Sequence, residues 1–170
     1  MQITPRIAPC LWFDSQAEEA AAFYVSVFKN SKMTSVAKYT KAGQETHKQR
    51  SGSVMTVAFE LDGQPFTALN AGPLFKFNEA VSFQVSCSNQ EEVDYYWDKL
   101  SKGGDPKAQR CGWLKDKYGL SWQVVPTILP KLLQNHDSPT AERAMEAMLR
   151  MKKIDVAELE RAVAGEPVAS

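Results

Sequence analysis

The chain has 170 residues, a length that fits one domain or two small ones at about 150 residues per domain. Its 20 basic residues balance its 20 acidic residues, so it lacks the positive field that a general nucleic-acid binder uses. No apolar run approaches the ~20 residues of a membrane span. Met1–Arg6 lacks the layout of a signal peptide, and the three cysteines form no CxxC pair. These features predict a cytoplasmic, globular protein with reduced thiols and no membrane partner.

The first half of the chain alternates between strand and helix patterns. A capping box, Ser15-Gln16-Ala17-Glu18, predicts the start of a helix, and Asp62-Gly63 predicts a hairpin turn. The remaining segments are, in chain order, a strand over 6–13, a strand over 33–39, a polar loop over 40–52, and hairpin strands over 53–61 and 66–70.

The same pattern restarts after Pro73. Ser15–Tyr24 aligns without a gap with Ser88–Trp97, and both stretches share a cap, a Glu-Glu pair and an aromatic end. The second copy is predicted to contain a strand over 80–87, a helix from Ser88 to Gly103, and strands over 107–111, 113–115 and 120–125. Each copy is therefore a βαβββ unit, and two such units can bury the sheet face that one leaves bare.

Residues 127–170 are helical by pattern. Ser138-Pro139 and Asp155 predict two helix starts, and Gly165 predicts a helix end. The apolar residues that share one face of the first of these helices are Ala141, Met145, Met148 and Leu149. Such a stripe is ordinary core or a dimer contact. A helical arm attached to an already closed unit predicts a contact with a second subunit.

Histidine is scarce, and this limits the chemistry. His47 falls in the polar loop and His136 falls between tail helices, so neither lies on a predicted strand. Glu60 is a strand carboxylate, but its hairpin alternates and we expect it to face solvent. The glycines form neither GxGxxG nor GxxxxGK[ST], which argues against a nucleotide site of the usual kind.

Several runs together carry a family resemblance. The most specific is Cys111–Pro126, and the others are 9–14, 16–20, 23–26, 69–73, 77–80, 90–94, 97–98 and 151–154. They resemble the PhnB-like proteins of the vicinal oxygen chelate superfamily, alongside glyoxalase I and the bleomycin- and fosfomycin-resistance proteins. Many members carry the name 3-demethylubiquinone-9 3-methyltransferase.

The resemblance implies an α+β fold in which paired βαβββ units form a curved mixed sheet around a cup, usually completed in a homodimer. It predicts a glyoxalase-like domain over 1–126, made of repeats at about 5–73 and 79–126. A C-terminal helical extension over 127–170 follows.

The resemblance also implies a metal site to test, because metal-dependent members place four ligands on four strands that line the cup. This sequence departs from that pattern. The positions that would hold ligands carry Gln123 in place of glutamate, Thr67, one of Pro9, Cys10 or Leu11, and either Ser82 or Gln84. Neutral amides and hydroxyls bind divalent metals poorly. We therefore predict no catalytic metal and no cofactor.

The predicted ligand-binding cup is lined by Trp12, Thr67, Asn70, Ser82, Gln84, Trp113 and Gln123. Alternatives stay open for most of them. The aromatic candidates, which are Trp12, Phe66, Trp113 and Trp122, could each be core instead. Asn70 could bind a ligand or cap a turn, and the two glutamines could hydrogen-bond each other. Asp116 fits turn chemistry better than catalysis, and Cys111 fits an inert thiol.

The favoured hypothesis is a metal-free, homodimeric PhnB-like protein that binds a small polar or aromatic molecule, with no catalytic residue assigned. One alternative is a metal-dependent lyase, isomerase or dioxygenase of the same superfamily, with Gln84 and Gln123 among the ligands. A lesser alternative is the methyltransferase of the family name. Against it, no glycine precedes Gly43, whereas methyl transfer from S-adenosylmethionine usually uses a glycine-rich loop after the first strand.

Overall fold

The structure, a computed structural model, describes residues 5–166, and they divide after Phe77 into two compact units. Each unit contains one mixed sheet, and six α-helices occur among the described residues. The predicted α+β fold class is therefore confirmed. The sequence expectation for Met1–Thr4 concerns residues outside the described range.

The first unit is a four-stranded sheet with strand order β1-β4-β3-β2. β1 runs parallel to β4, and the other pairs are antiparallel. Its elements are β1 (Cys10–Phe13), α1 (Ala17–Val27), β2 (Lys32–Lys38), α2 (Gln44–His47), β3 (Val54–Leu61) and β4 (Gln64–Asn70). The loop predicted over 40–52 thus contains one short helix.

Helix α1 covers one face of this sheet. Tyr24 and Val27 of α1 are almost completely buried, as are Val57 and Phe59 of β3. Burying each large apolar side chain stabilises the fold by about 1.5–3 kcal/mol. The alternate residues of the strands point to the opposite face, which α1 leaves uncovered.

The start of α1 differs from the sequence prediction. The N-cap position is Gln16, and no side chain of the predicted capping box makes the cap hydrogen bond. Instead, the Oδ1 atom of Asn70 accepts from the backbone N–H of Ala17 at 2.8 Å. The capping box at Ser15 was therefore wrong, because a side chain from β4 satisfies the helix end in its place.

The second unit contains a three-stranded sheet with strand order β5-β7-β6. β5 runs parallel to β7, and β6 runs antiparallel to it. The elements are β5 (Ser82–Cys87), α3 (Gln90–Ser101), a 3₁₀ turn (Pro106–Ala108), β6 (Trp113–Lys115) and β7 (Ser121–Pro126). Helix α3 packs on one face, with Val93, Trp97 and Leu100 buried.

The strand predicted over 107–111 was wrong. Only Arg110 makes an isolated bridge, to Trp113. The backbone explains this, because Cys111 and Gly112 both have positive φ angles, at 51° and 83°. Two successive residues in this region cannot continue a strand. A Cβ on Gly112 would also meet the Val124 carbonyl oxygen at 2.9 Å, so the position requires glycine.

The capping motif of α3 is present but lies one residue later than predicted. Asn89, not Ser88, is the N-cap, and its side chain accepts from the backbone N–H of Glu92 at 3.0 Å. The Glu92 carboxylate in turn accepts from the backbone N–H of Ser88 at 2.7 Å. The two repeats therefore start their helices by different means.

The C-terminal segment forms α4 (Ile128–Leu133), α5 (Pro139–Arg150) and α6 (Val156–Ala164). The predicted helix signals are confirmed, since Ser138 and Asp155 are side-chain N-caps and Gly165 ends α6 with a φ of 79°. The buried face of α5 consists of Ala141, Ala144 and Ala147. Met145 and Leu149 are exposed, so they are not core residues.

The segment between α5 and α6 is tied to the rest of the second unit. The backbone N–H groups of Cys111 and Gly112 donate to the carbonyls of Met151 and Lys152, at 2.8 and 2.7 Å. The Gln90 side chain donates to the Ile154 carbonyl and accepts from the Val156 N–H. Within residues 5–166, no helix is long and apolar enough to cross a membrane.

Candidate ligand-binding site

The face of the second sheet that α3 does not cover collects polar side chains from all three strands. We call it the amide face and define it by Ser82, Gln84, Trp113, Lys115, Ser121 and Gln123. These residues share a face because the residues that alternate with them, such as Val85, Leu114 and Trp122, are buried on the face that α3 covers. The strand register arranges them in two rows across the sheet. One row is Trp113, Gln123 and Gln84, and the other is Lys115, Ser121 and Ser82.

A hydrogen-bond network joins three members of the amide face. Gln123 donates through Nε2 to the Ser82 hydroxyl at 2.8 Å. Its Oε1 atom accepts from Nε2 of Gln84 at 3.3 Å. The sequence left this hydrogen bond between the two glutamines open as the structural alternative to ligand recognition, and its presence orients the central amide. Gln84 itself is exposed, so part of its amide can reach a bound molecule.

The three other members add different chemistry. Trp113 is half-buried and lies beside Gln123, so its ring can offer an aromatic surface to a ligand. The Lys115 ammonium pairs with the carboxylate of Glu79. Ser121 is only 1% exposed, and its hydroxyl has no hydrogen-bond partner among the described residues. The face therefore combines neutral amides, one ring and one cation.

Two predicted site residues lie on the uncovered face of the first sheet. Trp12 donates through Nε1 to the Gly72 carbonyl at 2.8 Å and contacts Phe75 edge-on, with ring centroids 4.8 Å apart. Thr67 is half-buried and sits opposite Cys10 in the parallel register. This face belongs to the first unit, as does Asn70, whereas the amide face belongs to the second.

Asn70 serves the fold of the first unit. Besides accepting from Ala17, its amide donates to the Val54 carbonyl at 3.1 Å. Its backbone carbonyl accepts from the Tyr39 hydroxyl at 2.6 Å. Asn70 is 7% exposed and both ends of its amide are bonded to backbone groups. The sequence left open whether Asn70 binds a ligand or caps a turn. In the structure its side chain caps the start of helix α1.

Two of the aromatic candidates belong to the core. Phe66 is 7% exposed and stacks on Phe59, with centroids 5.4 Å apart. Trp122 is 3% exposed and donates through Nε1 to Oδ2 of Asp116 at 2.9 Å. The other oxygen of Asp116 accepts from the backbone N–H groups of Tyr118 and Leu120. Asp116 therefore holds the turn before β7, as the turn interpretation predicted.

The cysteines and histidines form no reactive group in this structure. All three cysteines are free of disulfides. Burial raises the pKa of the Cys87 thiol to about 12, and burial also raises the pKa of Cys10. His47 stacks on Tyr39 with centroids 4.6 Å apart, and His136 pairs with Asp137 at an exposed site. A thiol that is buried and held protonated, as Cys87 is, is a poor nucleophile, whereas Cys10 is exposed.

The donor set does not favour a divalent metal. Among residues 5–166, no three His, Cys, Asp or Glu side chains form a cluster that could hold one. Glu60 pairs instead with Lys32 at 3.3 Å, and its side chain is 28% exposed. The second-unit positions that correspond to ligands in metal-dependent members carry two amides and a hydroxyl, which are weak ligands for such ions.

Sequence reasoning missed three residues that belong to this region. Lys115 and Ser121 share the face of Trp113 and Gln123 because they lie two residues away along the same strands. That alternation was readable from the sequence. Glu79 lies before β5, and no local pattern pointed to its contact with Lys115.

The fold and the amide face define a class of protein: an α+β protein with two mixed sheets, and with polar side chains on the face of the second sheet that α3 does not cover. A family model described as 3-demethylubiquinone-9 3-methyltransferase matches residues 5–125. The chain belongs to this family, the PhnB-like proteins of the vicinal oxygen chelate superfamily.

One solved structure supports the family assignment, and two others share the fold. A PhnB protein from Bacillus cereus is 34% identical, with a TM-score of 0.61, and the match covers 72% of this chain and all of that one. Protein PA1353 from Pseudomonas aeruginosa shares the fold at 16% identity and a TM-score of 0.54, covering 72% of this chain and 98% of that one. The fosfomycin resistance protein FosX from Listeria monocytogenes shares the fold at 15% identity and a TM-score of 0.52, and the match covers 76% of this chain and 97% of that one. No curated protein matches the chain.

Proposed function

We propose that the protein binds a small polar or aromatic molecule on the amide face without a resident metal. The observation that carries this proposal is the network of Ser82, Gln123 and Gln84, in which Gln123 bonds to the exposed amide of Gln84 on one side and lies beside Trp113 on the other. Oriented amides beside an aromatic surface are typical of sites that recognise a neutral polar group on a flat ligand.

Burial supports the same proposal. The side-chain polar groups of Asn70 and Asp116 are buried and bonded mainly to the backbone of the fold. Gln84 is exposed, and Gln123 is half-buried beside it on the neighbouring strand. A molecule that approaches this face meets amide groups whose orientation is already set, which lowers the entropic cost of binding.

Titration with benzamide, followed by NMR of the side-chain amides, tests the proposal. We expect the Gln84 and Gln123 amide signals and the Trp113 indole signal to shift together and to saturate. Gln123→Ala should abolish the saturable shift, because it removes the group that orients Gln84. Gln134→Ala, at an exposed glutamine of the tail, is the matched control and should leave it intact. Shifts confined to other parts of the chain would contradict the proposal.

The rival metal-dependent function draws on the superfamily. Metal analysis of the purified protein separates the two. We expect no stoichiometric divalent ion, since the face offers amides and hydroxyls rather than carboxylates or imidazoles. A tightly held ion that Gln123→Ala releases would overturn the metal-free proposal and favour a lyase, isomerase or dioxygenase.

The family description supports a second candidate, methyl transfer. Calorimetry with S-adenosylmethionine tests it directly. We expect no saturable heat, because the first strand leads into α1 through Asp14 and Ser15 without a glycine-rich loop. Saturable binding would favour the methyltransferase over a simple binding protein.

The proposal includes a cytoplasmic homodimer, with the exposed side of α5 as the contact. Met145 is 41% exposed and Leu149 is 50% exposed on this helix. A groove of about 500 Å³ beside them is lined by Leu133, His136, Ala141, Glu142, Met145 and Glu146. Sedimentation analysis should give a dimer that Met145→Lys with Leu149→Lys dissociates. A wild-type monomer would contradict this part of the proposal.

A further inference from the structure

The second row of the amide face contains an unusual polar arrangement. Lys115 and Ser82 flank Ser121 across the sheet. The Ser121 hydroxyl is buried and has no hydrogen-bond partner among residues 5–166. Leaving a buried hydroxyl unbonded is unfavourable, so such a group in a folded protein calls for an explanation.

Lys115, which lies opposite Ser121 in the register of β6 and β7, is already in contact with a carboxylate. Glu79 lies three residues before β5, and its side chain reaches the Lys115 ammonium. The two partners differ in exposure: the Lys115 side chain is 24% exposed, whereas that of Glu79 is 61% exposed. The lysine is therefore held at the sheet, while the glutamate can leave towards solvent without uncovering apolar core.

We propose that the ligand of the amide face carries a carboxylate that binds at Lys115 and Ser121, and that the Glu79 carboxylate competes with it for the same ammonium group. The proposal rests on the proposed function, because it assigns the charged end of the molecule whose flat or polar part lies on Trp113, Gln123 and Gln84. The ligand oxygen replaces that of Glu79 on Lys115 and accepts from the Ser121 hydroxyl.

The choice of a carboxylate follows from the group that Lys115 now contacts. The ion pair with Glu79 shows that a carboxylate fits against this ammonium group, and it reaches the group from the segment that precedes β5. The hydrogen bond from Lys115 also lowers the pKa of the Glu79 carboxyl, so the competing group is charged near neutral pH. A charged competitor on an exposed side chain weakens ligand binding without blocking it.

Calorimetric titration with benzoate and with benzamide, which differ in charge but little in shape, tests the inference. We expect Glu79→Gln to strengthen benzoate binding by about five-fold, the size expected for loss of one exposed ion pair, and to leave benzamide binding unchanged. Lys115→Gln should remove the preference for benzoate. Lys153→Gln, which breaks the Lys153–Asp94 pair elsewhere in the second unit, is the matched control and should change neither.

Ser121→Ala separates a binding role from a structural one. The hydroxyl has no partner in the fold, so its removal should leave the melting temperature unchanged or slightly higher. Benzoate affinity should still fall, because the ligand loses a donor. A variant that loses stability and keeps its benzoate affinity would contradict the role assigned to Ser121.

These titrations separate failure of the carboxylate assignment from failure of the proposed binding function on which it rests. If benzamide and benzoate both bind equally to wild type, Glu79→Gln and Lys115→Gln, the amide face binds ligands but the carboxylate assignment is wrong. If neither compound binds to any variant, the proposed function fails first. If inorganic phosphate binds through Lys115 and benzoate does not, the site takes a different anion and the inference is overturned.

Discussion

The two units of this protein use their side-chain amides in different ways. In the first unit, the Asn70 amide bonds to backbone groups of α1 and β3 and is enclosed. In the second, the Gln123 amide bonds to side chains on β5 and lies on an uncovered face. An amide bonded to backbone stabilises the fold, whereas an amide bonded to other side chains orients groups that a ligand can reach. Residue type alone does not distinguish the two roles.

The largest effect should come from Asp116, a polar group of the second unit that behaves as Asn70 does. Asp116→Ala leaves two backbone N–H groups and the Trp122 indole without their acceptor. We expect a loss of about 3 kcal/mol in unfolding free energy, measured by urea denaturation. Asp105→Ala, which removes one exposed bond to the Lys107 N–H, should cost less than about 1 kcal/mol. Equal losses would contradict the assignment.

The next effect compares the two helix caps directly. Asn70→Ala removes a buried cap of α1 together with a bond to β3, and should cost about 2 kcal/mol. Asn89→Ala removes only the exposed cap of α3 and should cost about 1 kcal/mol. Thermal melts of the two variants provide the measurement. A larger loss of stability for Asn89→Ala than for Asn70→Ala would contradict the structural role given to the Asn70 amide.

A smaller stability effect is expected on the amide face itself. Gln123→Ala removes two side-chain hydrogen bonds beside solvent, and water can replace them. We expect a loss below about 1 kcal/mol in unfolding free energy. The same variant should lose benzamide binding. A loss as large as that of Asn70→Ala would mean that the network is structural.

Cysteine reactivity offers a check on burial in the second unit. Cys87 is fully buried and burial raises its pKa to about 12, so at pH 8 it is protonated and shielded. We expect iodoacetamide to modify Cys10 while Cys87 stays unmodified until urea unfolds the chain, as mass spectrometry of the peptides can establish. Rapid modification of native Cys87 would contradict the packing of α3 on its sheet.

The smallest effect concerns the tie between α3 and the tail. Hydrogen bonds from Lys153 and then Gln90 lower the pKa of Asp94. A depressed folded-state pKa adds stability above the unfolded pKa, and that stability is lost as the pH falls through the folded-state pKa. Asp94→Asn should therefore cost less than about 1 kcal/mol at neutral pH and nothing in strong acid. Urea denaturation of this variant and of wild type across pH checks this, and an equal loss in strong acid would contradict it.

Much of the architecture was predictable because it depends on local patterns. The hairpin at Asp62-Gly63 and the caps at Ser138 and Asp155 follow from alternation and from short side-chain hydrogen bonds. The predictions failed where a distant group decides. Asn70 caps a helix 53 residues before it in the chain, so the box at Ser15 gave a false signal. The positive φ angles at 111–112 are incompatible with the strand that the sequence pattern predicted over 107–111.

The site was predictable in part for the same reason. Strand patterns placed Ser82, Gln84 and Gln123 on strands, and the hydrogen bond between the two glutamines was the alternative to ligand recognition. The strand pattern could not show which amides are enclosed, since Asn70 and Gln123 both follow apolar residues. The contact between Glu79 and Lys115 joins a loop to a strand and carries no local signal.

The most direct test of the account is a crystal of the protein soaked with a set of small aromatic and polar amides. The account predicts bound fragments that lie on the amide face, with their polar atoms on Gln84 or Gln123 and their rings on Trp113. Fragments that collect instead in the tail groove beside Leu133 and Met145, with the amide face unoccupied, would contradict it.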